Sequence, residues 1–385
     1  MTGTQGAVPI PPLQYHDEPL DVNLRVRPAN GYFELEIRAY DQTLGPFEIE
    51  LTPADLGALN RTFRVAMEGI TTAVGKGKTG PDLEGHLRPL VETGSHAFGK
   101  AFADPQAAKA LGDLLAESRP LVIAVVTENF FVPWELFYPE QVGQVVSYEQ
   151  FIGMRHLISR SFVTHERPAA WVSTTIPVTK VPKVGLAAYD RLRAVREAEI
   201  PFFRDLKDKG NRIDLQLLER LNAAPKEKVA QLKVLEAFCG SGLQVAHFAC
   251  EAQYKESTPD QSVIMLTKEF PLLLRDMDVY CITMTGYPLV ILNGCETSDL
   301  NPAYTAHFAA AFWKHGARAV VATECKISDA FAARFSQRLY QSLLAGRTVG
   351  ESLLEARQHF LKTEGHPAGA FYSLYGPHTV RLECP

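Results

Sequence analysis

Apolar and polar residues alternate from Val22 through Val26 and again from Tyr32 to Ile37, where Phe33, Leu35 and Ile37 face away from Tyr32, Glu34 and Glu36. A period of two is the mark of a strand with one buried face, and Asn30-Gly31 between the runs supplies the turn. A third run, Pro46 to Leu51, ends at Thr52-Pro53, a pairing of N-cap and first helical residue. Leu56, Leu59, Phe63 and Met67 then recur at helical spacing, and a second helical zone covers about 83–116. Leu121 to Val126 reads as a short buried strand, followed by an aromatic-rich segment from Phe130 to Tyr138. Proline-rich punctuation at 168–183 closes this part.

From Val184 the order becomes regular. Strand-like runs at 184–188, 212–218, 244–249, 288–293 and 318–323 alternate with helical segments near 190–209, 225–240, 302–315, 328–345 and 349–363. Asn301-Pro302 reads as an N-cap and N1 pair, and Gly346 and Gly350 punctuate the last two helices. Strands interleaved with helices call for parallel pairing and right-handed crossovers, hence an α/β three-layer sandwich with a mostly parallel central sheet. The expected division is a leader at 1–15, an N-terminal α+β region at 16–180 that packs against the sheet, and the α/β domain at 181–385. In such a sheet a site forms at the carboxyl ends of the strands. The ends that stand out are Ala246-His-Phe-Ala-Cys-Glu-Ala252 and Val290-Ile-Leu-Asn-Gly-Cys-Glu-Thr297.

Composition narrows the class. Hydrophobic residues make up 46% and charged residues 22% of the 385, a globular balance, and no apolar run is long enough to span a bilayer. A formal charge of −5 without a basic stripe argues against a nucleic-acid partner. The first dozen residues lack the basic start and apolar stretch of a secretory signal. All six cysteines lie from Cys239 onward, none in a C-x-x-C pair, which fits reduced thiols in a cytoplasmic protein. Gly75-Lys-Gly-Lys-Thr-Gly80 lacks phosphate-loop spacing and no strand precedes it. No metal-ligand spacing and no cofactor motif is present.

Cys295, directly after a buried run and preceded by Gly294, is placed like a nucleophile. The glycine permits a sharp turn that brings backbone amides towards a reacting carbonyl.

Several motifs in this order resemble the CHAT family, caspase-like domains related in fold to separases and gingipains. Pro133-Trp-Glu-Leu136 is similar to the family's P-W-E-L signature, and Leu292-Asn-Gly-Cys-Glu-Thr297 to its nucleophile motif, which usually has alanine at Gly294. Gly316-Ala-Arg-Ala-Val-Val-Ala-Thr-Glu324 resembles the next strand, and Leu344-Ala-Gly-Arg-Thr-Val-Gly-Glu351 with Ala356-Arg357 the closing helices. The resemblance spans about 130–383. It implies a caspase-like fold, Cys295 at the nucleophile position, and a protein as partner or substrate.

The departure is at the base. Family members commonly read H-F-A-x-H-G, the second histidine being the general base; here the stretch is His247-Phe-Ala-Cys-Glu-Ala252. His247 matches the first, structural histidine, and Glu251 stands at the base position. Four residues of extended strand, ~13 Å, separate the two. A carboxylate near a thiol disfavours the thiolate that an imidazolium would favour. Two functions follow: a pseudo-peptidase serving as an interaction or regulatory module in bacterial signalling or defence, or a cysteine endopeptidase with an unconventional or partner-supplied base. Glu296 and Asp299, near the expected substrate pocket, would suit a basic side chain or form a solvated loop. Trp134 is expected as a packing anchor.

Overall fold

Val22, Leu24 and Val26 are buried against Phe33, Leu35 and Ile37, and the turn between them has Asn30 at φ 41 and Gly31 at φ 92. Positive φ at both central residues makes a two-residue loop whose twist matches that of the strands it joins. The computed structural model describes residues 13–14, 20–40, 42–140, 142–143, 146–162, 170–171, 173–189, 191–218, 227–253, 255, 258, 261–267, 270–294 and 302–384. Within them β1 (Val22–Ala29), β2 (Tyr32–Ala39) and β3 (Gln42–Ile49) form the meander, β3 beginning four residues before the apolar run that announced it. Thr52 caps α1 (Pro53–Gly75): its hydroxyl accepts from the Asp55 amide, and Asp55 accepts from the Thr52 amide in return. The glycine-rich stretch after α1 is a helix terminus, with the Lys76 amide donating back to Thr72 and Ala73 and Gly77 at φ 79. The second helical zone is two helices, α2 (Glu84–Ala101) and α3 (Pro105–Leu115), separated where Asp104 caps the latter.

The other strands of the main sheet are β4 (Val122–Thr127), β5 (Leu157–Phe162), β6 (Lys183–Ala188), β7 (Asp214–Leu217), β8 (Val245–Gln253), β9 (Val263–Thr267), β10 (Phe270–Leu273), β11 (Leu289–Gly294), β12 (Ala319–Thr323) and β13 (Tyr372–Tyr375); short strands Leu13–Gln14 with Ala170–Trp171, and Thr175–Pro177 with Arg381–Glu383, make two small separate sheets. Helices α4 (Ile200–Asp208), α5 (Lys228–Cys239), α6 (Pro302–Lys314), α7 (Asp329–Leu343) and α8 (Val349–Glu364) lie between them. The thirteen numbered strands form one sheet, ordered β7-β6-β8-β11-β12-β13-β5-β4-β1-β2-β3, with the β9–β10 hairpin attached to the end of β8. Pairing is parallel from β7 through β12 and from β13 through β1; β13 runs antiparallel to β12. The upstream strands thus extend the sheet edge to edge through β5. At the far edge β3 carries Pro46, which offers no amide to a further strand.

Both faces of the central strands are covered. Val245, Ala249, Leu289, Ile291 and Val321 face α7 and α8, while Phe248, Val290, Leu292 and Val320 face α5 and α6. Every residue of β11 and β12 is buried, as continuous apolar runs in a parallel sheet require. This is the three-layer α/β architecture read from the element order. One punctuation mark was misplaced: Gly350 lies inside the first turn of α8, and Gly365, at φ 67, ends that helix. A Cβ at Gly350 would stand 2.9 Å from His378 Cβ, so the glycine marks a close approach. Asn301 lies outside the described residues.

Gly94 shows how the aromatic segment docks. A Cβ there would collide with the carbonyl oxygen of Leu136, while the Gly94 carbonyl accepts from the Tyr138 amide at 3.2 Å. Gly94→Ala is expected to lose ~1–3 kcal/mol by overpacking against a backbone atom. Gly99→Ala, on the same helix facing open space, should gain ~0.5–1 kcal/mol from propensity. Urea midpoints of the two variants, moving in opposite directions, check both.

Candidate functional site

The sheet order places β8 and β11 side by side, with paired residues running from Val245↔Leu289 to Cys250↔Gly294. The expected site lies where these strands end. β8 does not stop at residue 249, as its apolar run suggested; it continues to Gln253, and Glu251 pairs antiparallel with Met265 of β9. Glu251 is half-buried there and accepts from Gln253 Nε2 at 3.3 Å. Ala252 is buried on the opposite face. Gly294 is the buried last residue of β11, and its carbonyl accepts from Thr323 Oγ1 at 3.5 Å. Cys295, Glu296 and Asp299 lie outside the described residues.

His247 is fully buried. Its Nε2 stands 3.0 Å from Glu199 Oε1, its Nδ1 3.3 Å from the Tyr340 hydroxyl, and its ring meets Phe203 edge-on at 5.3 Å. Glu199 reaches this spot because the chain after β6 makes a π-turn, Val195–Glu199, in which the Ile200 amide donates to Val195 five residues back. Pro201 follows and has no amide to give, so the regular ladder is interrupted there in any case. The same Glu199 oxygen accepts from Asn293 Nδ2 at 2.9 Å and Ser336 Oγ at 2.7 Å. Asn293 in turn accepts from the Tyr372 hydroxyl at 2.7 Å. Burial pushes the Glu199 carboxyl up, but His247 and these donors outweigh it and hold the group below its ordinary range.

The structure therefore ties His247 to Asn293, one residue before Gly294, through Glu199. Cys250 beside them is a buried thiol pushed up by burial, then by Glu199 and Glu251. His307, on α6, is half-buried against Phe131 with ring centroids 6.0 Å apart, and burial lowers its pKa. His315 ends α6 with Nε2 3.1 Å from Asp278. Among the described residues no group of three or more His, Cys, Asp or Glu side chains could hold a metal ion. Among them, too, no helix is long and apolar enough to cross a membrane.

A second buried polar cluster joins motifs that the sequence presented separately. Trp134 packs in an aromatic group with Phe102, Phe130 and Phe137, and the turn it opens carries Glu135, which is fully buried. Glu135 pairs with Arg160 of β5, and Arg160 Nη1 donates to Glu324 Oε1 at 2.9 Å. Arg357 of α8 stands 3.6 Å from Glu135 and donates to the carbonyls of Gly153 at 3.1 Å and Tyr372 at 2.6 Å. Ser373 Oγ at 2.8 Å and the Tyr375 hydroxyl at 3.2 Å complete the surround of Arg160. Neither Glu199 nor Arg160 was singled out from sequence, and Asn293, Glu135, Glu324 and Arg357 were quoted only as motif letters. For Glu135 and Glu324 the signal available was a charged residue inside an otherwise apolar run.

Known proteins place the chain. A probable protease of Vitiosangium sp. (strain GDMCC 1.1324) is 32% identical over 158 residues, which make up 39% of this chain and 20% of that protein. Two crystal structures of the Saccharomyces cerevisiae separase–securin complex align with 95% and 94% of this chain and 30% of theirs, at 10% identity and TM-scores of 0.46 and 0.43. The chain thus spans about a fifth of its curated relative and under a third of the separase chain. The CHAT domain matches residues 95–373, well over half of the sequence, and the chain belongs to that family.

Proposed function

We propose that this CHAT domain is a caspase-like module that engages a protein partner without cleaving it, a pseudo-peptidase used for interaction or regulation in bacterial signalling or defence. The observation that carries this reading is the fate of the two base candidates on β8. Glu251 stands where the family places its catalytic histidine, and His247 is sealed in a buried contact with Glu199. Cys250 pairs with Gly294, and the residue that follows Cys250 in sequence at the family's base position is Glu251, not an imidazole. A thiol in that company lacks the group that would take its proton, and losing one member of a nucleophile–base pair costs orders of magnitude in rate.

The competing reading is an endopeptidase whose base is unconventional or comes from a partner, and the likeness to the probable protease of Vitiosangium favours it. A cysteine-directed activity probe separates the two. Wild type and Cys295→Ala are expected to label alike near neutral pH, and Glu251→His with Ala252→Gly to gain Cys295-dependent labelling. Saturable Cys295-dependent labelling of the wild type at neutral pH would overturn the non-cleaving reading.

A further inference from the structure

The Glu135–Arg160–Glu324–Arg357 cluster has a feature that packing alone does not require: two carboxylates share one guanidinium. Arg160 donates to both Glu135 and Glu324, and each acid keeps one buried oxygen, Oε1 of Glu135 and Oε2 of Glu324, without a hydrogen-bond donor. The acids come from different parts of the fold. Glu135 rides on the turn after β4, and Glu324 directly follows β12, where its amide donates to the Phe371 carbonyl at 2.8 Å. The Glu135 turn is fitted closely to its neighbours: a Cβ on Gly153 would lie 2.5 Å from Glu135 Cβ. Gly153 is itself held by Arg357 through its carbonyl.

We propose that Glu324 is a proton-operated latch on the Glu135 turn. Protonated, Glu324 leaves Arg160 to Glu135 and the turn is held closed; ionised, it competes for Arg160 and repels Glu135, and the turn loosens. The proton comes from and returns to solvent. The groups facing Glu324 are Arg160 from β5, Glu135 from the turn, Ser373 and the Tyr375 hydroxyl from β13, with Cys325 next in the chain and Glu68 of α1 acting on Cys325. Arg357 from α8 reaches the cluster through Glu135.

The electrostatics agree with the geometry. Burial pushes the Glu324 carboxyl up to about 7; Arg160 pulls it down and Glu135 pushes it up again. Arg160 stays charged, because the pull of Glu135 and Glu324 outweighs its own burial. The two shifts look contradictory for a simple pair, since one partner is stabilised as an ion and the other is not. With Glu135 also on Arg160 they are compatible: the guanidinium serves the nearer acid first. A carboxyl raised in the closed state binds its proton more tightly there. Closure is therefore fully supported below the ordinary value of 4.5 and weakens as pH rises towards 7.

Amide hydrogen exchange of the full-length protein tests the latch between pH 5 and 8.5. Exchange at 134–138 and 152–157 is compared with strand 289–294 in the same sample, which cancels the intrinsic pH dependence. The relative opening of the turn should rise by up to about tenfold per pH unit to about pH 7 and level off above it. In Glu324→Gln the ratio should be flat and low across the range. In Glu135→Gln the rise should level off at lower pH and be smaller, because the neighbour that pushes the Glu324 carboxyl up in the closed state is gone. A flat wild-type profile, or the same rise in Glu324→Gln, overturns the latch. None of these readouts depends on whether Cys295 reacts.

Discussion

Arg160→Met is expected to destabilise the protein by ~3–5 kcal/mol, the range found when one partner of a buried charge pair is removed. The side chain is 4% exposed, so water cannot take its place. It donates to Glu135, to Glu324 at 2.9 Å, to Ser373 at 2.8 Å and to Tyr375 at 3.2 Å, and its guanidinium lies 5.4 Å from the Tyr375 ring centre. Methionine fills much of the volume and satisfies none of those acceptors. Arg357, 3.6 Å from Glu135, remains but is already committed to two carbonyls. The loss should be read as a fall in urea midpoint with an unchanged slope. It should also depend on pH with a definite sign. Without Arg160 nothing from that guanidinium opposes the burial that drives Glu324 to protonate, so the defect is smaller at pH 5 and grows towards pH 8. Adding Glu135→Gln and Glu324→Gln to the variant should restore part of the loss, because removing all the charges together is far cheaper than stranding some of them. A penalty below ~1 kcal/mol would mean that the cluster behaves like an exposed pair.

How much of this was readable beforehand depends on what kind of signal each part leaves. The runs at 184–188, 288–293 and 318–323 became β6, β11 and β12 within a residue because buried parallel strands write themselves as continuous apolar stretches. The Thr52-Pro53 start of α1 was equally local: capping is decided by residues within one turn. The end of β8 was not legible. Cys250 and Ala252 are apolar enough to continue a strand, but what extends it is pairing with β9, and cross-strand pairing over a dozen residues leaves no mark in either run. Edge-to-edge joining of the upstream strands through β13 and β5 was hidden for the same reason. In the candidate site, His247 was visible as a letter and its partner was not. Glu199 lies 48 positions away on a π-turn, in a segment whose charge pattern, Arg196-Glu197-Ala198-Glu199, reads as a solvated helix face. Only the fold shows that the second glutamate of that pattern points inward.

Glu199→Ala carries the other large expected effect, again ~3–5 kcal/mol, since it strands a buried ionic partner. Three groups converge on one carboxylate oxygen: His247 at 3.0 Å, Asn293 at 2.9 Å and Ser336 at 2.7 Å. Alanine leaves all three without this acceptor in a dry interior, while Asn293 Nδ2 still donates to the Ala332 carbonyl at 3.2 Å and its Oδ1 still accepts from the Tyr372 hydroxyl. Because Asn293 precedes Gly294, the consequence should be local as well as global: amide protection along 289–294 should fall further than along β12. Glu199→Gln separates charge from shape. The glutamine can still accept from Ser336 but carries no charge, so an intermediate loss is expected. The pH signs of the two buried acids are opposite. Glu199 is held below its ordinary value of 4.5, so its contribution is present above that value and is lost as pH falls through the depressed one. Glu324 loses its contribution as pH rises instead. The buried histidines His156, His307, His315 and His366, held below 6.5 by burial, already weaken the fold as pH falls from there; to this Glu199 adds an acid limb below 4.5 and Glu324 a neutral limb between 4.5 and about 7. Glu199→Gln should flatten the acid limb alone, and Glu324→Gln the neutral limb alone. If Glu199→Gln left the acid limb unchanged, the ionised Glu199 carboxylate would be refuted as the source of that limb.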